Sequence, residues 1–255
     1  RRNFVYGNPE EDVKGCIANG IEEKTANQIF DEMIDFAKYA FNKSHAAAYA
    51  VVSYETAYLK YYYPVEYMAA LMTSVIDNSA KVSEYILVSR NMGISLLPPD
   101  INEGMADFSV SGGGIRYGLS AIKSIGKPVV EAILEERRKR GEYKDLKDFM
   151  ERLSGKEVNK RTVENFIKSG AFASLKGTRK QHMMIYIQVM DQVNQEKKYS
   201  MAGQMSLFDI VSDEQKKEFE ITLPDVGEYQ KETLLAFEKE VLGVYISGHP
   251  LEEYE

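Results

Sequence analysis

Residues 120–137 read SAIKSIGKPVVEAILEER and combine a short apolar segment, a polar turn and an amphipathic segment. Pro128 suits the first turn of a helix, and apolar residues then recur at helical spacing. The turn from Ser124 to Lys127 contains Gly126, which allows another group to approach the backbone closely. The stretch predicts two helical segments joined by a tight turn, with free N–H groups where the second helix begins.

A second stretch, residues 158–175, repeats this arrangement about forty residues later and reads VNKRTVENFIKSGAFASL. Each turn places a lysine beside a glycine. The pair resembles a tandem helix-hairpin-helix, a non-specific DNA-binding unit in which helix-start amides and lysines meet phosphates. The predicted DNA contacts are the residues of the two turns: Ser124, Ile125, Gly126, Lys127, Lys168, Ser169, Gly170 and Ala171.

Charge is concentrated around these turns. The net charge is −7, but residues 115–180 contain 17 Lys and Arg against 9 Asp and Glu, a local net of +8. A basic patch of this kind favours a nucleic-acid partner. The alternative is a solvated helix face, because the RRKR run at residues 137–140 lies where basic residues favour a helix C-terminus.

The rest of the chain is predicted to be mainly helical. Helices are expected over residues 22–40, 44–63, from Pro64 onward, and from Ser79 to Gly93. Residues 94–102 are expected to be extended because of two prolines, and residues 107–119 to form a β-hairpin. Its glycines lack the Lys-Ser/Thr of a phosphate loop, so they indicate a turn. The fold class is mainly α, a helical subdomain followed by a tandem helix-hairpin-helix domain with a small β-hairpin.

Composition limits the function classes. In 255 residues there are one cysteine and three histidines, which gives no disulfide and no metal-ligand cluster at usable spacing. No apolar run is long enough to cross a bilayer, and the first residues lack the apolar core of a signal peptide. We expect a cytoplasmic protein with no membrane partner and no metal of its own.

Five motifs point to one family. FNKSHAAAYAVVSYETAYLKYYYPVEYMAALM, residues 41–72, closely resembles the fingers domain of the alpha subunit of bacterial DNA polymerase III, the C-family replicative polymerase. The remaining motifs follow in the order which that family shows: MGISLLPPDIN (92–102), IRYGLSAIKSIG (115–126), KSGAF (168–172) and EKEVLGVYISGHPL (238–251).

The resemblance implies two parts, a fingers portion over residues 1–107 and a clamp-binding domain over residues 108–255. The tandem hairpins would occupy about 115–175, and an OB-fold would follow Glu255. The metal-binding catalytic aspartates of the family belong to a palm domain outside this sequence. No residue here is therefore predicted to be catalytic, and the Mg²⁺ that the full-length polymerase requires would bind elsewhere.

The resemblance places Lys43, Ser44 and His45 at the nucleotide or template. The alternative is helix capping, with His45 packed against Tyr49. Four further tyrosines are interpreted as core and inter-helix packing rather than base-stacking residues: Tyr54, Tyr58, Tyr61 and Tyr62.

A short segment resembles the sliding-clamp-binding pentapeptide of bacterial replication proteins. It consists of Gln204, Met205, Ser206, Leu207 and Phe208, with methionine in place of the usual leucine. The expected partners are duplex and primer-template DNA, deoxynucleoside triphosphates, the sliding clamp (beta subunit) and other replicase subunits. In the alternative, Leu207 and Phe208 fill a groove on their own domain. A rival function is a free-standing helix-hairpin-helix DNA-binding or scaffold module, which would have no palm aspartates upstream.

Overall fold

A computed structural model describes residues 1–38, 43–153, 158–201 and 221–251. The chain is mainly helical, as predicted, and divides into two compact units, Arg1–Leu59 and Lys60–Glu255. This division lies well before residue 107, so the functional boundary expected there stays a prediction. In the part of the chain that the structure describes, no helix is long and apolar enough to cross a membrane.

The first unit is small and buries few side chains, among them Val5 and Ala26. Its elements are α1 (Arg2–Tyr6), a hairpin of β1 (Gly7–Asn8) and β2 (Val13–Lys14), α2 (Glu23–Lys38), and most of α3 (Lys43–Tyr62), which continues into the second unit. The four tyrosines of α3 interpreted as core residues are exposed, by 44% at Tyr58 and by up to 78% at Tyr61. That interpretation was wrong, because apolar residues occur all around α3 and no residue of the helix is buried.

The second unit contains the remaining helices. They are α4 (Pro64–Ser74), α5 (Ser79–Asn91), α6 (Lys127–Arg140), α7 (Leu146–Leu153), α8 (Lys160–Ser169), α9 (Arg179–Met201) and α10 (Lys231–Leu242). The predicted start of α4 at Pro64 is confirmed, and α5 begins at Ser79 as expected. The N-cap of α5 is Asn78, whose side chain accepts a hydrogen bond from the amide of Lys81. The segment before the first turn was expected to be a short helix, but it is a single 3-10 turn, Leu119–Ala121.

A three-stranded sheet precedes that turn. The predicted β-hairpin is present as β4 (Ser109–Ser111) and β5 (Gly114–Arg116), with Val110 opposite Ile115. β3 (Leu96–Leu97) pairs in parallel with the other edge of β5. Only two residues of the segment expected to be extended form this strand, and a parallel partner brought from a distance has no local sequence signal.

One buried apolar cluster runs through the second unit from Met68 to Ile246. Its centre includes Phe149 of α7, whose ring lies 5.0 Å from that of Phe172 and 6.0 Å from that of Phe166. Edge-to-face aromatic contacts of this kind add to area burial. The core therefore joins the helices on both sides of the second turn and fixes the framework on which the two turns are presented.

Candidate nucleic-acid interface

The first turn is exposed, apart from the side chain of Ile125, which is 8% exposed and anchors it. The left-handed backbone conformation falls on Ser124, whose φ is 61°. Gly126 has a φ of −74°, which any residue adopts, and it is the N-cap of α6. The conformational freedom of glycine is therefore not what the turn uses at Gly126.

Contacts from later elements hold this turn in place. Lys123 makes two hydrogen bonds to the end of α10. Its amide donates to the carbonyl of Val241 at 2.9 Å, and the Nζ of Lys123 donates to the carbonyl of Glu240 at 2.8 Å. The side-chain amide of Asn165 on α8 donates to the carbonyl of Lys123 at 2.8 Å. The shape of the turn thus depends on residues 42 and 117 positions downstream.

The C-terminal motif, residues 238–251, is joined to the same region. The hydroxyl of Tyr117 donates to the carbonyl of Leu242 at 3.0 Å. Burial raises the pKa of Tyr117 well above its ordinary value, so the phenol remains a donor. A guanidinium nitrogen of Arg90 donates to the carbonyl of Tyr245 at 2.6 Å. Two motifs far apart in sequence therefore form one structural unit.

The start of α6 is open. Its N-cap, Gly126, makes no side-chain cap hydrogen bond, and among the described residues no acceptor is present for the amides of Gly126 and Lys127. Pro128 contributes no N–H. The side chain of Lys127 is 84% exposed, and within the described part of the chain its one ion-pair partner is Glu131, at 4.0 Å. Two free amides, the positive end of a helix and an exposed lysine thus lie together, which is the arrangement that binds an anion.

Nothing within the described residues requires a glycine at position 126. A Cβ added there would lie 3.6 Å from Cδ of Pro128, an ordinary contact. The absence of a side chain leaves the space over the open helix start accessible to an external group.

The second turn differs from the first in the conformation of its glycine, in the position of the next helix and in the pairing of its lysine. Gly170 ends α8 in the left-handed conformation, with a φ of 80°, and the next helix begins only at Arg179. Lys168 is paired with Glu164 and Glu240, both at 2.8 Å, and its side chain is 14% exposed. Burial alone would lower the pKa of Lys168, but its hydrogen bonds to the two carboxylates outweigh this and raise it. The predicted DNA contacts at Lys168, Ser169, Gly170 and Ala171 stay predictions.

The basic run at residues 137–140 is largely structural. Nη1 of Arg137 donates to the carbonyls of Ile101 and Gly104, each at 2.8 Å. Lys139 and Arg140 pair with glutamates one turn earlier on α6. Three of the four basic side chains thus have partners within the chain, so the open start of the same helix is the stronger candidate for phosphate.

Sequence reasoning missed the polar residues that join residues 100–102 to the loops after α6 and α8. The carboxylate of Asp100, 5% exposed, accepts hydrogen bonds from the amide and hydroxyl of Ser174, at 3.2 and 2.9 Å. Asn102 exchanges two hydrogen bonds with the backbone of Tyr143. The sequence PPDIN gave one signal, since Asp and Asn after prolines favour side chain–backbone turns, but it did not give the partners.

The predicted nucleotide-binding residues Lys43, Ser44 and His45 lie in the first turn of α3, and all three are exposed. The rings of His45 and Tyr49 are 4.4 Å apart, the contact expected in the capping alternative. The predicted clamp-binding residues, 204–208, lie outside the described residues. Among the residues described, no group of three or more His, Cys, Asp or Glu side chains could hold a metal ion.

The family comparisons agree with this geometry. Residues 93–182 match the family described as "Helix-hairpin-helix motif", a range that contains both turns. The chain therefore contains a helix-hairpin-helix motif within a mainly helical fold.

Individual relatives match far more of the chain than the family model does. DNA polymerase III subunit alpha of Borreliella burgdorferi is 42% identical over 243 residues, which are 95% of this chain and 21% of that protein. The same subunit of Vibrio cholerae is 42% identical over all of this chain and 22% of its own length, and that of Thermus aquaticus over 96% and 19%. The chain is thus homologous, along nearly its whole length, to one segment of the DNA polymerase III alpha subunits, and it spans about a fifth of those relatives.

Proposed function

We propose that this chain is the late-fingers and helix-hairpin-helix portion of a replicative DNA polymerase, and that its first hairpin binds the backbone of duplex DNA. The open start of α6 carries this proposal. Gly126 and Lys127 have amides without described acceptors, the glycine leaves the approach clear, and the lysine is exposed. These groups are complementary to a phosphate.

Binding at this turn is independent of sequence. Backbone amides and a lysine side chain contact phosphate oxygens and do not reach the base edges that distinguish one sequence from another. The local net charge of +8 over residues 115–180 adds a long-range attraction that salt screens.

The test is equilibrium binding of the 255-residue chain to two labelled duplexes of unrelated sequence over a range of salt concentrations. We expect equal affinities for the two duplexes. Lys127→Glu is expected to weaken binding and to reduce the log–log salt slope by about 0.9 for each phosphate that the variant no longer neutralises.

Lys139→Glu is the matched control, because it makes the same charge change on the same helix about 18 Å away, at 1.5 Å per residue. It should affect affinity less than Lys127→Glu. Equal effects of the two variants on affinity, or an affinity that does not depend on salt concentration, would contradict the proposed site.

For the whole protein we propose template-directed, Mg²⁺-dependent extension of a primer from deoxynucleoside triphosphates, acting with other replicase subunits. The support is the alpha-subunit homology, together with the implication that the metal-binding aspartates lie in a palm domain outside this segment. The 255-residue chain alone is then expected to incorporate no nucleotide on a primed template. Template-dependent extension by the purified chain would refute the proposal that the catalytic aspartates lie outside this segment.

Nucleotide contact by the start of α3 is proposed for Lys43, with Ser44 and His45 beside it. Their exposure in the first turn of the helix supports the proposal. In the full-length polymerase, Lys43→Ala should raise KM for nucleotide and leave kcat nearly unchanged if the lysine binds ground and transition states equally. Lys60→Ala, at the other end of α3, is the control. Unchanged kinetics in Lys43→Ala would leave capping as its role.

Sliding-clamp binding is proposed for residues 204–208 from the resemblance of QMSLF to the clamp-binding pentapeptide. Leu207 and Phe208 would enter apolar pockets of the clamp, and the Gln204 amide would fix the register through hydrogen bonds.

A further inference from the structure

The second hairpin contains the same three parts as the first, namely a glycine turn, a lysine beside it and the start of the following helix. In the first hairpin these parts are open. In the second, each part is already occupied by a group from elsewhere in the chain.

The start of α9 is fully capped. Thr178 and Gln181 form a reciprocal capping box: the amide of Thr178 donates to Oε1 of Gln181, and the amide of Gln181 donates to Oγ1 of Thr178. The carboxylate of Glu228 accepts from the amides of Arg179 at 2.9 Å and Lys180 at 3.1 Å. Every amide from Thr178 to Gln181 therefore has a side-chain acceptor.

Glu228 is in the position that a phosphate would take. Its carboxylate is an anion held by two successive amides at the positive end of a helix. The residue is itself exposed, so a competing anion can reach it from solvent. A second contact fixes the same segment, since Nε2 of Gln181 donates to the carbonyl of Pro224 at 2.8 Å.

The glycine face of the second turn is covered as well. A Cβ added at Gly170 would lie 2.5 Å from a guanidinium nitrogen of Arg179. That guanidinium donates to the carbonyl of Lys168 and pairs with Glu238, each at 3.2 Å. Glu238 is completely buried and also accepts from the amides of Ile246 and Ser247, so it holds Arg179 in place.

The lysine of the second turn is neutralised. Lys168 lies between the carboxylates of Glu164 and Glu240 and over the ring of Phe237. All three parts that would contact DNA are thus satisfied within the chain.

We propose that the second hairpin is closed to DNA by an internal carboxylate, Glu228, which occupies its phosphate position, so that the first hairpin alone contacts duplex DNA in this chain. The inference rests on the proposed duplex binding. It departs from a symmetric tandem pair, in which both turns would meet the backbone.

The first test follows backbone amide resonances of the 255-residue chain during titration with a short duplex. The amides of Gly126 and Lys127 are expected to shift, whereas those of Arg179 and Lys180 are expected to stay. Shifts of similar size at both helix starts would overturn the proposal that the second hairpin is closed to DNA, but would leave the proposed duplex binding by the first hairpin intact. Absence of any shift at Gly126 and Lys127 would refute the proposed function instead.

The second test removes the internal carboxylate. Glu228→Ala should tighten duplex binding by between about 2- and 30-fold, the range of a helix N-cap, and should steepen the salt slope by about 0.9 for one added phosphate. The amides of Arg179 and Lys180 should then respond to DNA even if the first hairpin does not.

Glu232→Ala is the matched control, because Glu232 is an exposed carboxylate four residues downstream. It should produce a smaller gain and leave the α9 amides unresponsive. Equal gains in duplex affinity in the two variants would overturn the proposal. So would α9 amide resonances that do not shift when DNA is added to Glu228→Ala. The amide titration of the parent chain decides the question without a variant, should Glu228→Ala impair folding.

Discussion

Two glycines in equivalent turns serve different physical needs. Gly170 is required by the fold, because its φ of 80° is strained for other residues and because the Arg179 guanidinium fills the space beside it. Gly126 has an ordinary φ, and a Cβ added there would meet Cδ of Pro128 at 3.6 Å, an ordinary contact. At the residue scale, glycine is therefore a structural requirement in one turn and leaves access for a ligand in the other.

This contrast predicts opposite effects of one substitution. Gly170→Ala is expected to lower the free energy of unfolding by about 1–2 kcal/mol, from left-handed strain alone. Gly126→Ala should change stability little but weaken duplex binding, because its Cβ stands over the open start of α6. Urea unfolding and duplex titration of both variants check this. A destabilised Gly126→Ala with normal DNA affinity would contradict the assignment.

At the scale of elements, α6 is open at its start and closed at its end. The guanidinium of Arg152, from α7, donates to the carbonyls of Glu136 at 2.7 Å, Gly141 at 2.9 Å and Glu142 at 3.2 Å. It also lies 4.1 Å from the ring centroid of Tyr143, and its side chain is 3% exposed. One buried arginine thus joins the last turn of α6 and the two residues that follow it to α7.

We expect Arg152→Ala to reduce the free energy of unfolding by about 3–5 kcal/mol, because it leaves three partly buried carbonyls and the Asp148 carboxylate without their donor. Arg152→Lys should recover only part of this stability, since an ammonium does not supply the planar fork of donors. Arg138→Ala, at an exposed position of α6, should stay within about 0.5 kcal/mol of the parent. Chemical denaturation measures all three, and an Arg152→Ala protein as stable as the Arg138→Ala protein would be contrary to this account.

Near its start, α9 contains a buried histidine. His182 is 2% exposed, and its Nε2–H donates to the carbonyl of Lys176 at 2.9 Å. Burial lowers the pKa of His182 below its ordinary value of 6.5. The neutral imidazole is therefore the form that this helix start accommodates.

Stability should consequently depend on pH through His182. Between its folded pKa and about 6.5 the unfolded chain binds more protons, so the free energy of unfolding falls as pH is lowered through this window, by at most about 1.36 kcal/mol per pH unit. His182→Gln keeps an N–H donor and should flatten the pH dependence in this window. Thermal unfolding at several pH values tests this, and an unchanged profile in His182→Gln would assign the effect to other groups.

At the scale of the whole molecule, the segment proposed to bind the clamp follows the hairpin helices directly. Residues 204–208 come just after α9 ends at Met201, and the segment with Glu228 comes before α10. A linear peptide of this kind loses conformational entropy on binding, and its modest affinity becomes effective when clamp and polymerase hold the same DNA.

Leu207→Ala combined with Phe208→Ala is expected to weaken binding to the cognate clamp by more than about tenfold, because burying each side chain in its pocket contributes roughly 1.5–3 kcal/mol. Ile210→Ala combined with Val211→Ala is the control, since it also truncates two apolar side chains but lies outside the pentapeptide. If the first variant bound the clamp normally while its thermal stability fell, Leu207 and Phe208 would be core residues.

Local patterns in the sequence determined much of this protein. Pro64 marked where α4 begins, the glycines marked the β-hairpin and both turns, and the clustered lysines and arginines marked the basic region. These features depend on neighbouring residues alone, through fixed φ angles, helix capping and hydrophobic periodicity.

Only the tertiary structure decided which turn is open. The two turns look alike in sequence, each with a lysine beside a glycine, but their difference depends on Glu228, Glu238 and Glu240, which lie about fifty to seventy residues beyond the second turn. The parallel strand β3 likewise depends on a partner from later in the chain, β5. Hydrogen bonds and ion pairs act over a few ångströms in space, whatever the separation in sequence, so their partners become known only when the chain has folded.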